Sequence, residues 1–252
     1  MIDTIICGDC LEVMPTIPDK SVDMVLADLP YGVTACKWDT PLPLVDLWKQ
    51  FQRVAKPNAA MVFTATQPFS SRLVMSKPEL YKHEWIWEKD KGFNFRTVGY
   101  NPYNVHEHII IFSDAAATFT NNDKSLNYNP QFEKGKPYNH CARSKSGVTQ
   151  FKMGSYEKGN IRSRIKNDGL RYPRSVIKFT TQRHSVTPTQ KPVALFEYLI
   201  RTYTNEGDLV LDPTAGSGTT AVACCRSNRH YICIEKESEY CAIAEKRISE
   251  ML

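Results

Sequence analysis

The sequence predicts an α/β protein built on a doubly wound, mainly parallel sheet, with a loop-rich basic insert. Three observations lead there. Short apolar runs at 22–27, 59–66, 208–211 and 231–234 lack the polar alternation of half-exposed strands, so they read as strands covered on both faces. They alternate with stretches whose apolar residues recur at helical spacing, the pattern of a parallel sheet with crossover helices. Residues 114–180, by contrast, show no sustained periodicity and are rich in Asn, Lys, Ser and Gly.

Taken in order, residues 4–7 read as a short strand and 9–14 as a helical start stopped by Pro15 and Pro18. The apolar run 22–27 is a buried strand that feeds directly into Asp28-Leu29-Pro30-Tyr31-Gly32. A loop follows to Pro43. Leu44, Leu47, Trp48, Phe51 and Val54 then mark one face of a helix, with Lys56-Pro57-Asn58 as its stop. Strands are expected at 59–66, 83–88 and 106–112. Beyond the insert come a helix at 192–203, a strand at 208–211, a helix at 219–226, a strand at 231–234 and a closing helix at 240–248. The expected organisation is a first half at 1–113, the insert at 114–183 and a second half at 184–252.

Composition narrows the class. A chain of 252 residues with 42% hydrophobic content can bury a large core. No apolar run approaches the roughly 18 residues that a membrane helix requires, and no secretory pattern opens the chain, so a cytoplasmic protein is expected. Cys7-Gly8-Asp9-Cys10 is formally a CxxC, but no second pair or suitably spaced histidines accompany it. All eight cysteines therefore read as free thiols, and no metal is implied.

Charge is distributed unevenly. Residues 124–183 carry 14 Lys plus Arg against 3 acids, a net +11 within a total of +5, which leaves the remainder at −6. A solvated surface segment would explain the charge alone. The interleaved Tyr128, Phe132, Tyr138, Phe151, Tyr156 and Tyr172, with many amides, favour a nucleic-acid-facing surface. Arg143, Lys145, Arg162, Arg164, Lys166 and Arg171 are the candidate phosphate contacts.

Two strings carry the chemistry. Leu209-Val210-Leu211-Asp212 leads into Pro213-Thr214-Ala215-Gly216-Ser217-Gly218-Thr219-Thr220, a turn of small residues before a helix whose N-terminal amides are free to meet a ligand. Glu235 follows Asp212 by 23 positions at the end of the next strand, about where dinucleotide folds place an acid for ribose hydroxyls. Neither GxGxxG nor GxxxxGK[ST] occurs, which argues against nicotinamide dinucleotide and P-loop sites. Asp28-Leu29-Pro30-Tyr31 stands at a strand's carboxyl end, where open α/β sheets bind ligands. Its carboxylate and a main-chain carbonyl at Leu29 or Pro30 can each accept one hydrogen of an amino group, and Tyr31 can stack on a base. A strand-ending turn with Asp as cap and Tyr as packing is the plainer alternative.

These strings resemble the S-adenosylmethionine site and the [DNS]PP[YF] signature of DNA amino-methyltransferases of the β arrangement, in which the catalytic string precedes the recognition insert and the cofactor turn. Leu29 departs from that signature, standing where proline is usual. The resemblance implies a Rossmann-like methyltransferase fold with circularly permuted motif order, S-adenosyl-L-methionine as cofactor, double-stranded DNA as partner, and a bacterial or phage origin. It also implies that Gly216, Gly218, Asp212 and Glu235 position the cofactor. Thr189 and Lys191, within Thr187-Pro188-Thr189-Gln190-Lys191-Pro192, would lie near the methionine carboxylate; an exposed lysine at a helix start is the equal alternative for Lys191. Asp9, within Gly8-Asp9-Cys10-Leu11, would meet the cofactor's adenine amino group, with Cys10 beside it; a helix cap is the plainer role for Asp9, and the two can coexist. Phe63-Thr64-Ala65-Thr66-Gln67 would line the pocket, and Lys37 and Trp38 would meet the displaced strand, with a lid over the core as the equal alternative for the tryptophan.

Asp in first place favours adenine N6 over cytosine N4 as the methylated amine. The expected activity is site-specific adenine-N6 methylation of a flipped base by direct methyl transfer. A cytosine-N4 enzyme is the nearest alternative; an RNA or protein-glutamine amino-methyltransferase and a non-catalytic DNA-binding module stand further off. A homodimer and a cognate restriction endonuclease are both compatible with the resemblance.

Overall fold

A computed structural model of the chain describes residues 2–32, 40–115, 125–142, 148–152, 155–158, 163–182 and 190–251. They form two compact units, Met1–Asn129 with Arg174–Leu252, and Pro130–Pro173. In chain order the elements are β1 (Thr4–Cys7), α1 (Cys10–Val13), β2 (Val22–Ala27), α2 (Leu44–Val54), β3 (Ala55–Ala65), α3 (Phe69–Ser76), β4 (Tyr81–Glu88) and β5 (His106–Phe112). The smaller unit holds β6 (Glu133–Lys134), β7 (Tyr138–Ala142), β8 (Val148–Lys152), β9 (Ser155–Lys158), β10 (Ser163–Asn167) and β11 (Leu170–Arg171). The chain closes with β12 (Val176–Lys178), α4 (Val193–Tyr203), β13 (Leu209–Asp212), α5 (Thr219–Ser227), β14 (His230–Glu235) and α6 (Ser238–Ser249).

Eight strands of the larger unit form one sheet in the order β1-β14-β13-β2-β3-β5-β4-β12. All neighbours are parallel except the two pairs that β5 makes, with β3 and with β4. The mainly parallel, doubly wound sheet is therefore present, with one reversed strand. β2 shows why its sequence reads as unbroken apolar: Met24 and Leu26 pack into one hydrophobic cluster, Val25 and Ala27 into the other. The first cluster includes Leu195, Phe196, Leu199 and Ile200 of α4 and Ala221 and Val222 of α5. The second takes Leu47, Trp48, Phe51 and Val54 of α2 and Phe69 and Leu73 of α3.

Differences from the sequence reading have local causes. α2 runs straight into β3, because Lys56-Pro57-Asn58 forms an irregularity in a strand rather than a loop: Val22 pairs with Ala55, then Met24 with Ala60. Proline has no N–H for a ladder, so it sits where the pairing is interrupted. α3 adds a helix that the periodicity does not announce. Its eight residues bury Phe69, Ser70 and Leu73, too few apolar positions for a period to show. β12, within the stretch read as aperiodic, pairs through Val176 with Ile86 of β4.

The smaller unit contains three two-stranded antiparallel pairs, β10 with β7, β11 with β6 and β8 with β9. The Arg171 guanidinium is engaged inside it, donating to the Leu170 carbonyl at 3.1 Å, to the Lys136 carbonyl and to Asn167, and lying 4.7 Å over the Tyr138 ring. Among the described residues no helix is long and apolar enough to cross a membrane, and no group of His, Cys, Asp or Glu is placed to hold a metal ion.

Candidate active site

The carboxyl ends of β1, β2, β13 and β14 share one edge of the sheet, since these strands are parallel. The residues that follow or end them are Asp9, Asp28, Asp212 and Glu235. A cavity of about 440 Å³ opens there. Of the residues singled out from sequence, Asp9, Cys10, Asp28, Pro30, Lys191, Asp212, Pro213, Ala215, Gly216, Ser217, Thr219 and Glu235 line it. Leu29, Tyr31, Gly218 and residues 63–67 do not. Lys37, Trp38, Arg143, Lys145, Arg162 and Thr189 lie outside the described residues, and of Arg164 and Lys166 only the strand pairing is described, opposite Cys141 and Asn139.

Asp28 is held from three sides. Tyr31 donates its hydroxyl to Oδ1 at 2.6 Å, Thr64 donates to the same oxygen, and the Lys191 ammonium lies 2.7 Å from Oδ2. The Asp28 carbonyl accepts from the Thr214 hydroxyl at 3.3 Å, which ties the first string to the second. Burial, followed by the carboxylates of Asp28 and Glu107, pushes the Tyr31 phenol well above its ordinary range, so it remains a neutral donor. Its ring is stacked on Phe69 at 5.1 Å. Leu29 explains its own departure from proline: its side chain is buried in the second hydrophobic cluster.

Lys191 is 8% exposed and sits between two acids, with Glu107 Oε2 at 3.4 Å besides Asp28. Burial acts to lower its pKa, but the Asp28 and Glu107 carboxylates outweigh this and hold it above the ordinary lysine value. Glu107 is buried as well, and the Lys89 ammonium pairs with its Oε1. Glu107 Oε2 has no aligned hydrogen bond, so its contact with Lys191 is one of charge alone.

The turn after β13 is built by its acid. Asp212 accepts from the Thr214 amide at 3.0 Å and from the Thr220 hydroxyl, closing the turn onto the start of α5. Burial raises the Asp212 carboxyl to about 7, against the pull of those two donors and with Asp28 and Glu235 adding repulsion. Gly216 and Gly218 both have positive φ, +53° and +75°, but serve different ends. A side chain at Gly216 would meet nothing within 4 Å, whereas one at Gly218 would lie 2.7 Å from Ala244 Cβ of α6. Only the first faces open space. Glu235 accepts the Gly216 amide at 2.7 Å and the Glu237 amide at 2.8 Å, so it fixes the turn. Asp9 caps α1 through the Leu11 amide at 2.9 Å, and its other oxygen lies 3.2 Å from the Lys236 ammonium. Burial raises the Cys10 thiol to about 11, which keeps it protonated.

Residues 22–246 match the model of a family described as DNA methylase. The chain belongs to that family. Among curated relatives, this methylase is 26% identical to the type II methyltransferase M.HpaI of Haemophilus parainfluenzae, over 97% of this chain and 73% of that one. It is 28% identical to the DNA adenine methyltransferase YhdJ of Escherichia coli K12, over 97% and 82%. Solved structures that resemble the methylase in fold include M1.HpyAVI complexed with S-adenosylmethionine, with a TM-score of 0.61 and 24% identity over 97% and 98% of the chains. The cytosine-N4-specific PvuII DNA methyltransferase gives a TM-score of 0.67 at 15% identity, over 97% and 85%.

Two residues of the methylase's site have roles that the sequence does not reveal. Thr64 reads from sequence only as part of a strand end expected to line the pocket; it does not line the cavity, and its hydroxyl instead holds Asp28. Glu107 carries no signal, because one acid near the start of an apolar strand reads as a solvated end.

Proposed function

We propose that this methylase transfers a methyl group from S-adenosyl-L-methionine to the exocyclic N6 of adenine in double-stranded DNA, at specific sites. The observation that carries this is Asp28, a fixed carboxylate at the lip of a cavity lined by the Asp212–Thr219 turn. A carboxylate has about four acceptor sites. Tyr31, Thr64 and Lys191 use three, which leaves room for one hydrogen of an incoming amine. The carbonyl of Leu29 or Pro30 takes the other hydrogen, so the amine is held by preorganised acceptors as positive charge develops on it.

The cavity residues fit the cofactor. The volume lies within the range of about 300–1,000 Å³ typical of small-molecule sites. Asp9, Asp212 and Glu235 line the cavity, and Gly216 leaves open the space a side chain would fill. Bound there, S-adenosylmethionine supplies an electrophilic methyl group on a sulfonium. The chain's part is to orient the amine in line with it and to receive an adenine flipped from the duplex, which Tyr31 clamps. The basic stretch 114–183 is assigned to target recognition, on its net positive charge between 124 and 183. Adenine rather than cytosine is supported by Asp28 in the first position and by the adenine-specific name of one relative.

The test is product analysis. DNA incubated with protein and cofactor, then digested to nucleosides, should contain N6-methyladenine and no N4-methylcytosine by mass spectrometry. Asp28→Ala should abolish the product while cofactor binding by calorimetry persists. N4-methylcytosine as the product would overturn the choice of base, and an active Asp28→Ala variant would overturn the role of the carboxylate.

A further inference from the structure

The loop between β4 and β5 stands on the same sheet edge as Asp28. Register places it there: Ala27 of β2 pairs with Phe63 of β3, Ala65 of β3 with His108 of β5, and His106 of β5 with Glu88 of β4. The ion pairs agree, since Lys89 at the root of the loop pairs with Glu107, which faces Lys191, which holds Asp28.

What this loop displays is unusual for a solvated connection. Tyr100 is 91% exposed and Phe95 66%, with Phe93 and Tyr103 about half exposed. Residues 91–105 also contain Lys91 and Arg96 and no acid. Asp90, just before them, is turned away: its carboxylate accepts the Thr181 amide at 2.7 Å and hydroxyl at 2.8 Å. The loop is nonetheless built. Asn94 accepts the Asn104 amide at 2.7 Å and donates to the Pro102 carbonyl at 2.9 Å, while Tyr103 donates to the Gly92 carbonyl at 3.1 Å. A side chain at Gly92 would strike the Tyr103 ring at 2.6 Å. Local hydrogen bonds thus hold a loop in which Phe95 and Tyr100 stand out in water, while Phe93 lies under the Lys89 ammonium and Tyr103 against Gly92, both half-exposed.

We infer that residues 91–105 form a second DNA-contacting surface, outside the basic insert, on which unpaired bases beside the flipped nucleotide stack. The inference rests on the DNA-methylating reading above. Rings with interspersed cations and amides, and without acids, match the chemistry of a locally opened strand: faces for bases, charge for phosphates.

The experiment measures binding of a duplex oligonucleotide to wild type and to Phe95→Ala, Tyr100→Ala and their double variant, across a salt series. Removing each stack should weaken binding by about 5- to 150-fold at 1–3 kcal/mol per base, with the salt slope unchanged. Lys91→Gln with Arg96→Gln should flatten that slope instead. Cofactor binding by calorimetry should stay at the wild-type value in every variant. Aromatic variants that bind DNA as wild type does would overturn the inference. So would a change in molecular mass by light scattering without a change in DNA affinity, which would make the loop a contact between copies. Loop-dependent binding to DNA by a wild type that methylates no DNA would uphold the surface and overturn the proposed function.

Discussion

Gly216 and Gly218 occupy one turn, two residues apart, and a comparison of their alanine variants separates ligand approach from packing. Both have positive φ, so alanine at either costs roughly 1–2 kcal/mol in the left-handed region. Gly218→Ala adds a steric penalty that Gly216→Ala does not. Its Cβ would sit 2.7 Å from Ala244 Cβ and 3.1 Å from Ala244 Cα, pressing the start of α5 against α6. Overpacking of this kind costs about 1–3 kcal/mol, for a total near 2–5 kcal/mol. At roughly 2–4 °C per kcal/mol for a chain of this size, Tm should fall by about 4–20 °C for Gly218→Ala and about 2–8 °C for Gly216→Ala. Binding should reverse the order. Gly216 lines the cavity and Gly218 does not, so Gly216→Ala should weaken S-adenosylmethionine binding by tenfold or more while a folded Gly218→Ala binds as wild type. Thermal unfolding and calorimetry at a temperature where both are folded give the two readings. A Gly218→Ala variant no less stable than Gly216→Ala, or one that loses the cofactor, would refute the division of labour.

The remaining predictions concern charge. Burial raises the Asp212 carboxyl from an ordinary 3.8 to about 7. Folding therefore carries no penalty from this group below pH 3.8, a growing one between there and 7, and a full one above. At 1.36 kcal/mol for each tenfold, the upper bound is about 4 kcal/mol. Asp212→Asn should gain Tm over wild type as pH rises from 5 to 8; a difference that does not change with pH would rule out buried ionisation. Lys191→Met leaves the Asp28 and Glu107 carboxylates facing each other, and should cost about 3–5 kcal/mol of stability in denaturant titrations together with methylation. A loss under 1 kcal/mol would mean that the lysine is not what holds the two acids. Replacing Arg162, Arg164 and Lys166 with Gln should make the salt dependence of DNA binding shallower, by about 0.9 for each phosphate no longer neutralised. Arg171→Gln, by contrast, should speed proteolysis within Pro130–Pro173, because its guanidinium bonds that unit's own backbone. Unchanged digestion would contradict that structural role.

Asp28 and Asp212 are legible because each ends an apolar run and opens a turn of small or rigid residues, a local pattern that places a carboxylate at a strand's end. Glu235 is legible by its distance from Asp212, although its carboxylate secures backbone amides of the turn. The partners of Asp28 are harder to see. Lys191 is 163 positions away and Thr64 is 36, and which side chains meet depends on strand order, which periodicity does not encode. The reversed direction of β5 is hidden for the same reason, since His106–Phe112 is apolar whichever way it runs. Leu29 departs visibly from the family signature, but that its side chain packs into the core follows only from the turn's geometry.

The strand order also constrains how the protein is made. β2 lies between β3 and β13, and its Met24 and Val25 pair with Val210 and Leu211. At synthesis rates of about 5–20 residues per second, the roughly 180 residues between those partners take on the order of 10–40 s to emerge from a ribosome. Throughout that interval one edge of a hydrophobic strand has no neighbour, the condition under which chains pair with each other instead. Synonymous codons that delay residues 130–208 should therefore lower soluble yield without touching the finished molecule.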